Sequence, residues 1–442
     1  MKTRLISRNT FWRSSIIVLG AIGLGMICMS IPRFFSFLIE AIGFNIHQKN
    51  LPMDYVIGLM WAIVLGMSIL FWPVPSKDKN SLLLIWLVRV LVTLGFMVLV
   101  EAHYPGMDAY GYFNMSMTPN CPWKNIWSMN GTQIITALAW LHHQILPCSY
   151  YATKVSFSMS GFIAMYIFYR TAVIFSHHEN KRIFYVLALF PSTLFWSSIL
   201  GKDPIVLLGV ALYAYGVVGI YQFKKKRFLG ILLLGVMIAM VIRMWMGLIL
   251  LAPLTIFVFY LRQRSGIFKA VLIILISIAF LFSLNRFKNG FQLESGDDVL
   301  QTATNLSQSA STGGSSPGLS MEFTSPGKLI AFLPIGIFTV LFRPLPGEFF
   351  SNPFAFIASI ENLAFLAWLV LALKRKRWRE LKNPLGMWAI SVVVIWTILY
   401  APVSSGNLGT AMRYKIQILP ILLILLLHML PPRILNTKYL RG

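Results

Sequence analysis

Apolar stretches alternate with short clusters of Lys and Arg along the length of this chain. The apolar runs fall at about 12–31, 53–72, 82–102, 150–170, 183–200, 204–222, 229–245, 246–260, 268–284, 354–373, 385–402 and 416–430. About 20 consecutive apolar residues are what a helix needs to cross the hydrocarbon core of a bilayer. Several runs are closer to fifteen residues, a length that suits helices packed among other helices. The pattern predicts an all-α fold, a polytopic transmembrane bundle of about twelve spans forming a single integral membrane domain over 1–442. With 57% of residues hydrophobic and 12% charged, too little charge is available to clothe a soluble domain. The N-terminal MKTRLISRNTFWR ahead of an apolar run superficially resembles a signal peptide. The run lacks a small-residue cleavage site, so it is read as a retained first span.

The net charge of +24 would suit a nucleic-acid partner if the cations were spread over one surface, but they are gathered between the apolar runs, and no nucleic acid is expected. With the N-terminus inside, alternate connections carry Lys2 to Arg13, Lys77 and Lys79, Arg170 to Arg182, Lys224 to Arg227, Arg262 to Lys269, Lys374 to Lys382, and Arg433 to Arg441. These hold most of the 38 Lys and Arg residues. That is the positive-inside pattern, with both termini cytoplasmic. The same parity constrains residues 328–342. If KLIAFLPIGIFTVLF crossed, the KRKRWRE cluster would be forced outside, so a re-entrant or interfacial helix is predicted there. Residues 131–147, amphipathic with two histidines, predict a second interfacial helix. Three cysteines exclude a disulfide-rich fold; Cys28 lies in an apolar run, while Cys121 and Cys148 flank one polar segment and are placed to pair if it is extracytoplasmic.

With this topology, the residues least suited to a membrane collect on the outer side. Glu101 and Asp108 lie just beyond the third span among tyrosines, as a general base or sugar-binding carboxylate, or as part of a hydrated loop with interfacial tyrosines. The short turn at 190–204 holds Lys202 and Asp203. Asp203 reads as a helix N-cap ahead of Pro204, and Lys202 as a phosphate ligand. Arg243 at the outer end of a helical hairpin needs a partner or an anionic ligand, unless it snorkels to the interface. The long connection 285–327, Ser/Gly/Thr-rich and carrying Arg286, reads as a flexible loop, either a lid hinged at Gly313 and Gly314 or a passive linker. Further along come Arg343, Glu348, Asn352 and Glu361, the last inside a span with Arg343 or Arg413 as partner. Asn407, Arg413 and Tyr414 sit where a loop turns into the last helix. Arginine binds phosphate oxygens through a planar fork of donors. A set of outer cations beside carboxylates therefore suits a lipid-linked pyrophosphate sugar, with a carboxylate to activate a hydroxyl.

Several islands resemble the oligosaccharide repeat-unit polymerases (Wzy-type and EpsG-like) and related GT-C-like glycosyltransferases of bacteria. They are Phe190-Pro191-Ser192 with Phe195-Trp196-Ser197-Ser198 and Lys202-Asp203; Arg243; Arg343-Pro344 to Glu348 with Ser359, Glu361 and Asn362; and Asn407-Leu408-Gly409-Thr410 with Arg413-Tyr414. The resemblance implies a multi-pass enzyme of the bacterial inner membrane that joins sugar units carried on polyprenyl pyrophosphate at the outer face. In such an enzyme Arg243, Arg343 and Arg413 would hold pyrophosphate, and a chain-length regulator would be a possible partner besides the lipid. The first outer loop, about 32–52, lacks the acidic pair usual in GT-C enzymes, which favours a reaction without metal or other cofactor. The catalytic candidates are then Asp108, Glu348 and Glu101. The substrate-binding candidates are Lys202, Arg243, Arg286, Arg343, Glu361, Asn407, Arg413 and Tyr414. A flippase or transporter of a lipid-linked saccharide is the alternative from another class, and a glycan ligase would use nearly the same parts. A transporter should carry polar groups through the middle of its spans, where this sequence reads as mostly apolar, and no fixed-period repeat is evident.

Overall fold

The computed structural model describes residues 40–104, 107–118, 129–259, 266–311, 321–348, 353–374, 381–429 and 438–439, with a few isolated positions before residue 23. The expected first span at 12–31, Cys28, Cys121, Gly313, Gly314, Asn352 and most of the KRKRWRE cluster lie outside the described residues. The chain packs as two compact units. Unit 1 draws on Met1–Ala164 and Leu194–Ile205, and unit 2 on Met165–Thr193 and Val206–Gly442.

In unit 1, α1 (Leu51–Ser68) starts at Asn50, whose side chain accepts the Met53 N–H at 3.3 Å, and runs on through a 3-10 turn to Phe71. Helix α2 (Ser76–His103) is continuous, but its hydrogen-bond ladder widens to a π-helix over Leu91–Phe96. Two short helices, α3 (Asp108–Ser116) and α4 (Gly131–Ile145), precede α5 (Tyr150–Ser176). Helices α6 (Lys181–Leu189) and α7 (Pro191–Trp196) follow, then α8 (Lys202–Phe223). The unit boundaries fall inside α5, α7 and α8.

Unit 2 continues with α9 (Arg227–Ile242), α10 (Met244–Phe259), α11 (Gly266–Phe291), α12 (Gly296–Ser311), α13 (Pro326–Phe342), α14 (Pro353–Lys374), α15 (Pro384–Ser404), α16 (Leu408–Lys415) and α17 (Leu419–Met429). Two residues, His178–Glu179, pair antiparallel with Lys438–Tyr439. Helices α8 and α9 approach so closely that a Cβ on Gly235 would meet the Gly209 carbonyl oxygen at 2.6 Å. Small residues at such crossings let backbones pack where lipid supplies no hydrophobic drive. By contrast α1, α11 and α14 present Met60, Val64, Ile274, Ile278, Leu281, Ile357 and Ile360 outward, a surface suited to lipid.

The chain is an all-α membrane bundle, but the count of about twelve spans is corrected. Among the described residues seven helices are long and apolar enough to cross a membrane, or eight if α16 and α17, bent by 65°, form one broken span. The apolar run 183–200 is broken at Phe190-Pro191 into α6 and α7, because proline removes a donor and disfavours the helical region for the residue before it. Helices α9, α10 and α13 fall short of spanning length. The segment 328–342, expected as a re-entrant or interfacial helix, is the helical α13, with Pro334 inside it. The segment 131–147 holds α4, started by a reciprocal capping box between Asn130 and Gln133. The connection 285–327, expected as one flexible loop, is helical in part. It contains the end of α11 and all of α12. Helix α12 begins with Asp298 accepting the Glu294 and Ser295 N–H groups at 2.8 and 2.6 Å, and is held by Leu300 and Ala303 packing with Phe323 and Phe332.

Candidate functional site

Unit 1 places Glu101 inside α2 and buries it, which corrects its expected position in a loop at the water interface. Its carboxylate forms an ion pair with Lys154 of α5 and accepts the Tyr150 hydroxyl at 2.8 Å. The Lys154 ammonium lies about 5 Å from the centres of the Tyr150 and Tyr151 rings. Nearby, Asp54 of α1 takes the first N–H groups of α5, Oδ1 from Tyr150 and Oδ2 from Tyr151, each at 3.1 Å. A carboxylate there neutralises unpaired donors at the positive end of the helix dipole. Lys154 and Asp54 were absent from the sequence-derived set. The signal for Lys154 was its being a lone cation in an otherwise uncharged run.

Asp108 is exposed and opens α3. Lys202 is half-buried and opens α8, so that helix begins one residue ahead of the Asp203 expected to cap it; Asp203 lies buried in its first turn.

Unit 2 gathers most of the other candidates. Arg243 ends α9 in an extended backbone conformation, just before α10, and its side chain is buried. The guanidinium stands 4.2 Å from the Tyr414 ring centre and 5.9 Å from that of Trp245. Behind these rings lies a connected polar seam. Trp245 Nε1 donates to the Tyr400 hydroxyl, which donates to Gln417 Oε1 at 2.8 Å, and Trp396 Nε1 donates to the same oxygen at 3.0 Å. Tyr400 in turn packs edge-on against Tyr414. Ring faces attract a cation through their quadrupoles and hold a planar guanidinium in a set orientation.

The remaining candidates have structural partners. Arg286 donates from Nη2 to the Val241 carbonyl in the last turn of α9 at 3.5 Å, where a cation faces the negative end of the helix. Arg343 Nε donates to Glu348 Oε1 at 2.8 Å, and the other Glu348 oxygen accepts the Leu345 N–H at 3.1 Å. Both side chains stay partly exposed. Asn407 is the N-cap of α16, accepting the Thr410 N–H at 3.0 Å. Arg413 and Tyr414 are half-buried on α16.

Glu361 Oε2 accepts the Ser192 N–H at 2.6 Å, and the charge the structure sets beside it is Lys415. Arg343, one of its two expected partners, pairs with Glu348. Lys415 is fully buried, donating to Asn362 Oδ1 and to the Leu341 carbonyl at 3.3 Å. Asn362 Nδ2 donates onward to the Pro344 carbonyl at 3.1 Å. Lys415 therefore ties α16 to α13 and α14, a role that sequence reading missed because its partners lie 53 and 74 residues away. Among the described residues no three His, Cys, Asp or Glu side chains converge as metal ligands would.

No protein-family model, curated protein or solved structure matches the chain.

Proposed function

We propose that the chain is a membrane glycosyltransferase that joins polyprenyl-pyrophosphate-linked oligosaccharide units at the extracytoplasmic face, in cell-surface polysaccharide assembly. The observation that carries this reading is Arg243. It is a buried guanidinium at the junction of two apolar helices, oriented by the faces of Tyr414 and Trp245. Its donors suit the oxygens of a leaving pyrophosphate, and low surrounding polarity strengthens that attraction. Arg413, from the helix that carries Tyr414, supplies a second cation. In the reaction an acceptor hydroxyl attacks the anomeric carbon and loses its proton to a carboxylate, for which Glu348 and Asp108 are the accessible candidates. The bond from that carbon to the pyrophosphate oxygen breaks, and the lipid pyrophosphate leaves with the electron pair.

The test is release of polyprenyl pyrophosphate from a lipid-linked oligosaccharide by purified protein in liposomes. Arg243→Ala should lower the rate by about a hundredfold or more while the protein still inserts. Undiminished turnover in both Arg243→Ala and Arg413→Ala would sink the reading.

A transporter of the same lipid-linked saccharide is favoured by a different observation. Besides Glu361, which the sequence already placed inside a span, the spans carry buried charge that the sequence reading did not expect at depth: Arg89, and Lys154 with Glu101. Buried ionisable groups inside spans mark ion or substrate paths by default. Sealed liposomes separate the two readings. A transporter moves a fluorescent lipid-linked saccharide out of reach of an external quencher without lengthening its glycan.

A further inference from the structure

Arg89 stands near the middle of α2 with none of its side chain exposed. Its Nη1 donates to the Ser197 carbonyl at 3.0 Å, to Ser197 Oγ at 2.8 Å and, at longer range, to the Ser158 carbonyl at 3.4 Å. All these acceptors are neutral, and among the described residues no carboxylate pairs with it. The Phe162 ring centre lies 6.0 Å from the guanidinium carbon. The other two nitrogens, Nε and Nη2, meet no acceptor among the described residues.

Those two nitrogens form one edge of the guanidinium. Their N–H bonds run parallel, the arrangement that matches two oxygens of one carboxylate or phosphate. The opposite end is anchored, and the anchor is built into the packing. A Cβ at Gly161 would lie 2.3 Å from the Ser197 carbonyl oxygen and 3.0 Å from Arg89 Nη1, so only glycine lets Ser197 reach the guanidinium. Thr93, one turn on in the π-helical stretch, donates to Ser158 Oγ at 2.9 Å and ties the same α5 segment to α2. Such widened turns recur at functional sites. A cation at this depth, with its paired donors fixed in direction and no acid beside it, calls for an anion from outside the chain.

We propose that the Nε–Nη2 edge of Arg89 is a phosphate-binding seat in unit 1, which takes the phosphate of an amphiphile lodged among the helices. The seat is built from residues other than Arg243, and its test reads binding alone, so it stands or falls apart from the transfer reaction. An amphiphile is favoured over a free anion because the edge lies inside a membrane-spanning helix, where a dissolved ion would have to shed its hydration to arrive.

The experiment uses the full chain in neutral detergent, with dodecyl phosphate, inorganic phosphate and dodecanol as probes. Dodecyl phosphate should raise the melting temperature of the wild type, and dodecanol should not. Arg89→Lys keeps the charge but loses the fork, and should weaken dodecyl phosphate binding by about tenfold or more. Ser197→Ala removes one anchor of Nη1 and should weaken it by a few fold; it serves as the decisive variant if Arg89→Lys does not fold. A response to dodecyl phosphate alone assigns the seat to a lipid, and an equal response to inorganic phosphate assigns it to the free anion. The proposal is overturned if neither phosphate binds, or if the wild type and the decisive variant bind dodecyl phosphate equally.

Discussion

Glu101 and Lys154 show how much a single buried pair depends on both members. Lys154 Nζ and the Tyr150 hydroxyl both reach the Glu101 carboxylate, and neither charged side chain touches solvent. Removing one partner leaves an uncompensated charge where water cannot reach it, whereas removing both leaves an apolar gap that packing tolerates far better. Lys154→Met should therefore destabilise unit 1 by about 3–5 kcal/mol, and adding Glu101→Gln should restore most of that loss. Denaturant unfolding of the two single variants and the double variant measures the coupling, and simple additivity would show that the pair does not act as one. The sequence reading singled out Glu101, placed just beyond the third span, and passed over Lys154. It did not reveal that each is the other's partner, because 53 residues separate them and only the packing of α2 on α5 brings them together.

At the scale of elements, the local signals were the most legible. Asn407, singled out as a substrate ligand, is a helix cap in the structure. Asn407→Ala should cost about 1 kcal/mol, and Asn407→Asp, which also caps well, should restore it. Loss of transfer in a stably folded Asn407→Asp would instead point to contact with substrate. Helix α4 carries a pH response. Burial, with His143 adding to it, lowers the His142 imidazole to about 4. His142 Nε2 lies 2.8 Å from Ser156 Oγ, which also accepts Trp61 Nε1 at 2.8 Å. The unfolded chain binds a proton near pH 6.5, and the folded one only near 4. The unfolded state thus holds more protons through this window, and stability falls as pH drops from about 6.5 to about 4. Melting temperatures across that range should decline in the wild type and less steeply in His142→Gln; matching slopes would assign the response to other groups.

At the scale of the whole molecule, the basic clusters predict an orientation that can be checked directly. A single cysteine at Lys225, between α8 and α9, should be shielded from a membrane-impermeant maleimide applied to the outer side. One at Ser295, between α11 and α12, should be labelled. Both belong in a background with Cys28, Cys121 and Cys148 changed to serine. Labelling of Lys225→Cys from outside would reverse the topology and, with it, the face to which Arg243 is assigned.

Membrane residence and all-helical character were written in the sequence, because a bilayer accepts little besides helices with satisfied backbones and the apolar runs are long enough to supply them. Helix starts at Asn50, Asn130 and Asn407 follow from local capping chemistry and need nothing distant. The number of spans was not legible. The break at Phe190-Pro191 and the lengths of α9, α10 and α13 depend on where the chain turns. The charged residues divided the same way. Arg243 and Glu361 were legible as costly charges at membrane depth or inside a span, whereas Glu101 was read at the water interface and Arg89 and Lys154 were passed over. Tertiary structure alone decided that Glu101 is held by Lys154, that Arg343 is held by Glu348, that Arg243 lies on Tyr414, and that one edge of Arg89 meets no acceptor among the described residues. Side-chain partners are chosen by helices crossing in space, and their separation along the chain carries almost no trace of that choice.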